Sequence, residues 1–64
     1  MKPDRIWNIE GSVGGHSYDF WVRAASLDVA ARKGKRLIRA AAKEYGREGT
    51  LRVEHVEFIG TVDG

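Results

Sequence analysis

The first alternation along the chain is Arg5-Ile6-Trp7-Asn8-Ile9-Glu10, in which Trp7 and Ile9 take one side and Asn8 and Glu10 the other. A period of two marks a half-buried strand, because successive Cβ atoms of a pleated backbone point to opposite faces. Ile6 departs from the pattern, as residues near strand ends often do. The next stretch, Gly11-Ser12-Val13-Gly14-Gly15-His16-Ser17, holds three glycines in seven residues. It reads as a turn, since glycine takes positive φ without a Cβ clash. A second alternation follows, with Tyr18, Phe20, Val22 and Ala24 on one face and Asp19, Trp21 and Arg23 on the other. Two such runs around a glycine-rich segment predict an antiparallel hairpin.

From Ser26 the period changes. Ser26 is placed to cap a helix N-terminus through its hydroxyl, and Asp28 suits the positive end of the helix dipole. The helix is predicted over Leu27–Tyr45, with Gly46 as the left-handed residue that ends it. At about 100° per residue, Leu27, Ala30, Ala31, Gly34, Leu37, Ile38, Ala41 and Tyr45 share one stripe. Gly34 costs roughly 1 kcal/mol of helix propensity against alanine. It is therefore read as a packing position, one that could seat an aromatic ring. After Arg47-Glu48-Gly49-Thr50, a last strand runs from Leu51 to about Val62. Leu51 and Val53 have one parity and Val56 and Phe58 the other. Either a bulge near Glu54-His55 brings all four to the core side, or the strand switches faces. Residues 61–64 are expected to fray, leaving an ordered core over about 5–60. The predicted architecture is one small α+β domain over residues 1–64. Its order is β-β-α-β, a three-stranded, mainly antiparallel sheet with one helix packed on one face.

Size and composition narrow the function. A chain of 64 residues buries only about 60% of the surface its unfolded form exposes. One layer of helix on one layer of sheet leaves little room for an enclosed pocket. The absence of cysteine excludes disulfides and thiolate metal sites, and fits a reducing cytoplasm. No apolar run approaches the roughly 20 residues of a membrane span. No apolar segment follows Met1-Lys2-Pro3-Asp4-Arg5, so neither a secretory signal nor a membrane partner is expected.

Charge is where the sequence is most lopsided. Between Leu27 and Tyr45 lie six cations (Arg32, Lys33, Lys35, Arg36, Arg39 and Lys43) and two anions, Asp28 and Glu44; the rest of the chain carries five cations and seven anions. On a helical wheel Arg32, Lys35, Arg36, Arg39 and Lys43 occupy an arc of about 100° opposite the apolar stripe, with Lys33 at its border. Glutamates at four-residue spacing, which would neutralise such a face, are missing. A plain solvated face is one reading. The functional reading is a partner-binding surface for an acidic protein, for a protein–nucleic-acid complex, or for nucleic acid itself. Trp21 adds to this, because a single helix covers one side of a sheet and Phe20 and Val22 claim that side. An outward Trp21 can anchor a partner, form a homodimer face, or lie under the chain's own glycine-rich loop or tail.

Chemistry is thinly represented. His16 and His55 are far apart in sequence and show no zinc-ligand spacing. Ser12, Ser17 and His16 match a nucleophile–base set in composition only, with no G-x-S-x-G elbow. The glycine run lacks the Gly-Lys-Ser/Thr end of a phosphate-binding loop. Neither catalytic residues nor cofactor nor metal is expected, and the chain reads as a non-enzymatic protein.

Two segments carry a resemblance. In Phe20-Trp21-Val22-Arg23-Ala24-Ala25-Ser26-Leu27-Asp28-Val29-Ala30 a strand ends in V-x-A-x-S and a helix starts at the serine, with alanine four residues on. The end, Ile59-Gly60-Thr61-Val62-Asp63, has the form I-G-x-V-D. Both resemble a pattern found in small β-β-α-β proteins of phages and mobile elements, and in modules of the archaeal ribosomal protein LX type. The phage class includes anti-CRISPR proteins and other stoichiometric inhibitors of host defence. The resemblance implies an inhibitor in the host cytoplasm that occupies a surface of a nucleic-acid-handling or defence complex. Many such inhibitors imitate nucleic acid with acidic surfaces, and the basic helix departs from that habit.

Overall fold

The computed structural model describes residues 4–62. Strand β1 is Asp4–Val13, β2 is His16–Ala24, helix α1 is Leu27–Glu44 and β3 is Leu51–Val62. The sheet order is β2-β1-β3, and both pairings are antiparallel. The fold is therefore the expected α+β arrangement of three antiparallel strands with one helix. β1 sits in the centre because its apolar side, Trp7, Ile9 and Val13, can be covered from both neighbours and from the helix above. All three side chains are buried.

The hairpin is tighter than the glycine-rich stretch suggests. β1 and β2 stay paired to Val13↔His16, and only Gly14 and Gly15 form the turn. Both have positive φ, 57° and 82°, the geometry a two-residue hairpin turn requires to match the strand twist. Gly11, Ser12 and Val13 thus belong to the strand.

β3 resolves the parity conflict by a bulge. Gly11 faces Val53 and Glu10 faces His55, so Glu54 is the extra residue. Leu51, Val53, Val56 and Phe58 consequently all lie opposite helix-side residues of β1. A second irregularity skips Ile59 between Trp7↔Phe58 and Ile6↔Gly60. It shifts the register by one further residue and restores the earlier face alternation, and Thr61 and Val62 pair with Arg5 and Asp4 instead of fraying. Residues 63 and 64 lie outside the described residues.

The helix begins as the sequence predicts. The Ser26 hydroxyl accepts from the Val29 amide at 3.4 Å, and Asp28 stands in the first turn. At the other end Tyr45 is the cap, Gly46 has φ 68°, and the Arg47 amide donates to the Ala42 carbonyl at 2.8 Å. The buried ladder is Ala30, Gly34, Ile38 and Ala42. Leu27, Leu37 and Tyr45, assigned to the stripe from sequence, are instead exposed. Leu27 and Tyr45 have the right angle on the wheel but stand at the ends of the helix. Leu37 falls on its flank, beside β2. Gly34 packs on the branched side chain of Ile9, where a Cβ would lie 2.6 Å from Ile9 Cβ. An aliphatic side chain, and not an aromatic ring, therefore fills that position. Trp7 closes the other half of the core. Its indole N–H donates to the Ala24 carbonyl at 3.0 Å, and its ring meets Phe58 edge-on, centroids 5.3 Å apart.

Candidate functional site

The short residues of the buried ladder let α1 lie close on β1 and β2, and that seating fixes which residues point away. Arg32, Lys33, Lys35, Arg36, Arg39 and Lys43 are all exposed. Among the described residues, the one basic side chain within 4.0 Å of a carboxylate is the His55 imidazole, whose Nε2 lies 3.9 Å from Glu57 Oε1 on β3. None of the six helix cations has a carboxylate partner there. Lys33 is the exception to their freedom, since its ammonium donates to the Arg23 carbonyl at 2.7 Å and so points down over β2. The other five form the outer surface of the helix.

These five do more than share a face. Arg32, Lys35, Arg36, Arg39 and Lys43 together line one shallow surface depression, floored by Ala40. The ridge from Arg32 to Lys43 is about 16 Å long at 1.5 Å per residue. Because the side chains stand on one rigid element, their charges add at a partner's surface while salt screens them over about 8–10 Å. Three are arginines, whose planar forks suit bidentate contact with carboxylate or phosphate.

Arg47 extends the ridge, a contribution that sequence reading missed. It lies beyond the helix, so a helical wheel does not include it. The structure folds it back: its guanidinium sits 5.5 Å from the Tyr45 ring centroid and donates to the Tyr18 hydroxyl at 3.2 Å. Arg39, Lys43 and Arg47, together with Glu48, line a second cleft at the end of the helix, whose apolar wall includes Val13, Ala42 and Leu51. A cation directly after a helix-ending glycine is the sequence signal that points to such a fold-back.

Trp21 lies on the sheet's other face, 67% exposed. Gly14-Gly15 is too short a turn to cover it, so among the described residues it is not tucked under its own loop. It does not stand within the ridge. It shares a cleft along the β2 edge with Arg23, Lys33, Arg36 and Leu37. Of the ridge cations, only Arg36 reaches that cleft. Directly across from Trp21 on β1, Asn8 is buried, although the alternation places it on the polar side. Its position in the central strand, between Trp21 and Glu57, accounts for this.

His16 and His55 are exposed and stand on different strands, at the start of β2 and in the middle of β3. No helix among the described residues is long and apolar enough to cross a membrane. Compared with family models, with curated proteins and with solved structures, the chain matches none.

Proposed function

We propose that this protein works by binding rather than by bond-making, docking the outer face of α1 on an acidic surface of a protein or protein–nucleic-acid complex. The observation that carries the reading is the row of Arg32, Lys35, Arg36, Arg39 and Lys43, exposed on one helix and without carboxylate partners among the described residues. Keeping like charges together is unfavourable in isolation, and a partner of opposite sign removes that cost. Arg36 and Arg39 are the centre of the face, and Trp21 is a flanking anchor reached across the β2 edge. In this reading the resemblance to small phage proteins makes the molecule an inhibitor, acting in the host cytoplasm by covering a surface that a nucleic-acid-handling or defence complex needs.

The test is charge reversal. The R36E/R39E variant should retain the wild-type circular dichroism spectrum and lose the captured complex from a nuclease-treated host lysate. Capture undiminished by the reversal removes the ridge from the account.

Direct binding to nucleic acid is the second reading, favoured by the arginine content and length of the ridge. It expects a duplex gel shift whose affinity falls steeply with salt, because each phosphate contact releases a counterion. Absence of a shift at low salt excludes it.

A further inference from the structure

The outer edge of β3 offers a different surface, used by none of the ridge residues. The sheet order leaves this strand with one paired neighbour and one free edge. The helix sits mainly over β1 and β2. Leu51, Val53 and Val56 are therefore only partly buried, and Phe58 is 50% exposed.

The segment Leu51-Arg52-Val53-Glu54-His55-Val56-Glu57-Phe58 complements itself when reversed. Laid antiparallel on a second copy, with the dyad between Glu54 and His55, Leu51 faces Phe58, Val53 faces Val56, Arg52 faces Glu57 and Glu54 faces His55. In a regular strand this register would set opposite faces against each other, because each facing pair differs by an odd number of positions. The bulge at Glu54 removes the conflict. It places Leu51, Val53, Val56 and Phe58 on the helix side, and Arg52, His55 and Glu57 on the open side. Every facing pair outside the bulge then lies on one face. From these observations we propose that two copies pair through β3 about a two-fold axis, making a continuous six-stranded sheet.

The pairing adds a second Leu51-Val53-Val56-Phe58 row beside the one the helix leaves half-covered. It also sets two Arg52–Glu57 pairs across the dyad, where opposite charges stabilise and like charges oppose. The β2 edge cannot serve equally. Arg23, Lys33 and Arg36 line it, and a two-fold there would bring six cations together. With a dyad through β3 both helices stay on one side of the sheet, well apart.

Sedimentation equilibrium over about 1 µM to 1 mM tests this. Wild type should form a dimer. R52E and E57R should each weaken it by about tenfold or more, since each turns two attractive contacts into two repulsive ones. An equimolar mixture of the two variants should recover a heterodimer, and R52E/E57R should recover the homodimer, because both restore every charge pair. Circular dichroism of each variant separates loss of pairing from loss of fold. A wild-type monomer throughout the range overturns the proposal and makes the β3 charges a guard against edge pairing. A dimer insensitive to both single variants also overturns it, as does one lost only in Trp21→Ala.

Discussion

The two faces of α1 obey opposite rules. On the inner face Ala30, Gly34, Ile38 and Ala42 are chosen by what they touch, and space there is so short that Gly34 has no room for a methyl group. On the outer face Arg32, Lys35, Arg36, Arg39 and Lys43 touch little of the molecule and lack carboxylate partners among the described residues. Substitution should therefore read out differently on the two sides. Inner changes should cost stability, and outer changes should cost binding alone.

The largest effect is expected at Ile38, which is fully buried. Ile38→Ala should lower unfolding free energy by about 2–5 kcal/mol in urea titration, enough to unfold much of a domain this small. A loss under about 1 kcal/mol would mean that the helix is not seated on β1 as described. Gly34→Ala comes next and opposes intuition. Helix propensity alone favours alanine by roughly 1 kcal/mol, yet the added methyl meets the branched carbon of Ile9, and overpacking costs about 1–3 kcal/mol. A higher thermal midpoint in G34A would show that the helix stands further from the sheet. Trp7→Phe should cost about 1–3 kcal/mol, as the Ala24 carbonyl loses its indole donor inside the core. At the bottom of the scale, R36E/R39E should change stability by no more than about 0.5 kcal/mol, since it removes like-charge neighbours and no packing. A large loss there would show that the outer face is structural after all.

Much of this contrast is legible in the sequence, for a physical reason. Strand parity, the Ser26 cap, Gly46 and the position of the cations depend on local spacing, which the chain carries by itself. The bulge at Glu54 follows from the parity conflict between Val53 and Val56, and the structure decides for it over a change of face. What depends on where elements end is harder to read. Leu27 and Tyr45 have the correct angle for the core, but they stand at the two ends of the helix and are exposed. Leu37 is apolar and flanks the core, because the contact centres on the ladder from Ala30 to Ala42. The second irregularity at Ile59 leaves no mark in the hydrophobic pattern. Arg47 joins the ridge only through the backbone reversal after Gly46, and that reversal is a tertiary fact.

The most direct test of the central claim is fluorescence titration of the intact protein with poly-glutamate and, separately, with a DNA duplex, at rising salt, for wild type and R36E/R39E. Both the acidic-partner and the nucleic-acid readings need an anion, and the ridge cations lack carboxylate partners among the described residues; wild type should therefore bind at least one of the two polyanions with an affinity that falls as salt rises, and the double reversal should abolish that binding. Equal binding by both proteins, or none by wild type at low salt, would contradict the claim that the outer face of the helix is an open anion-binding surface.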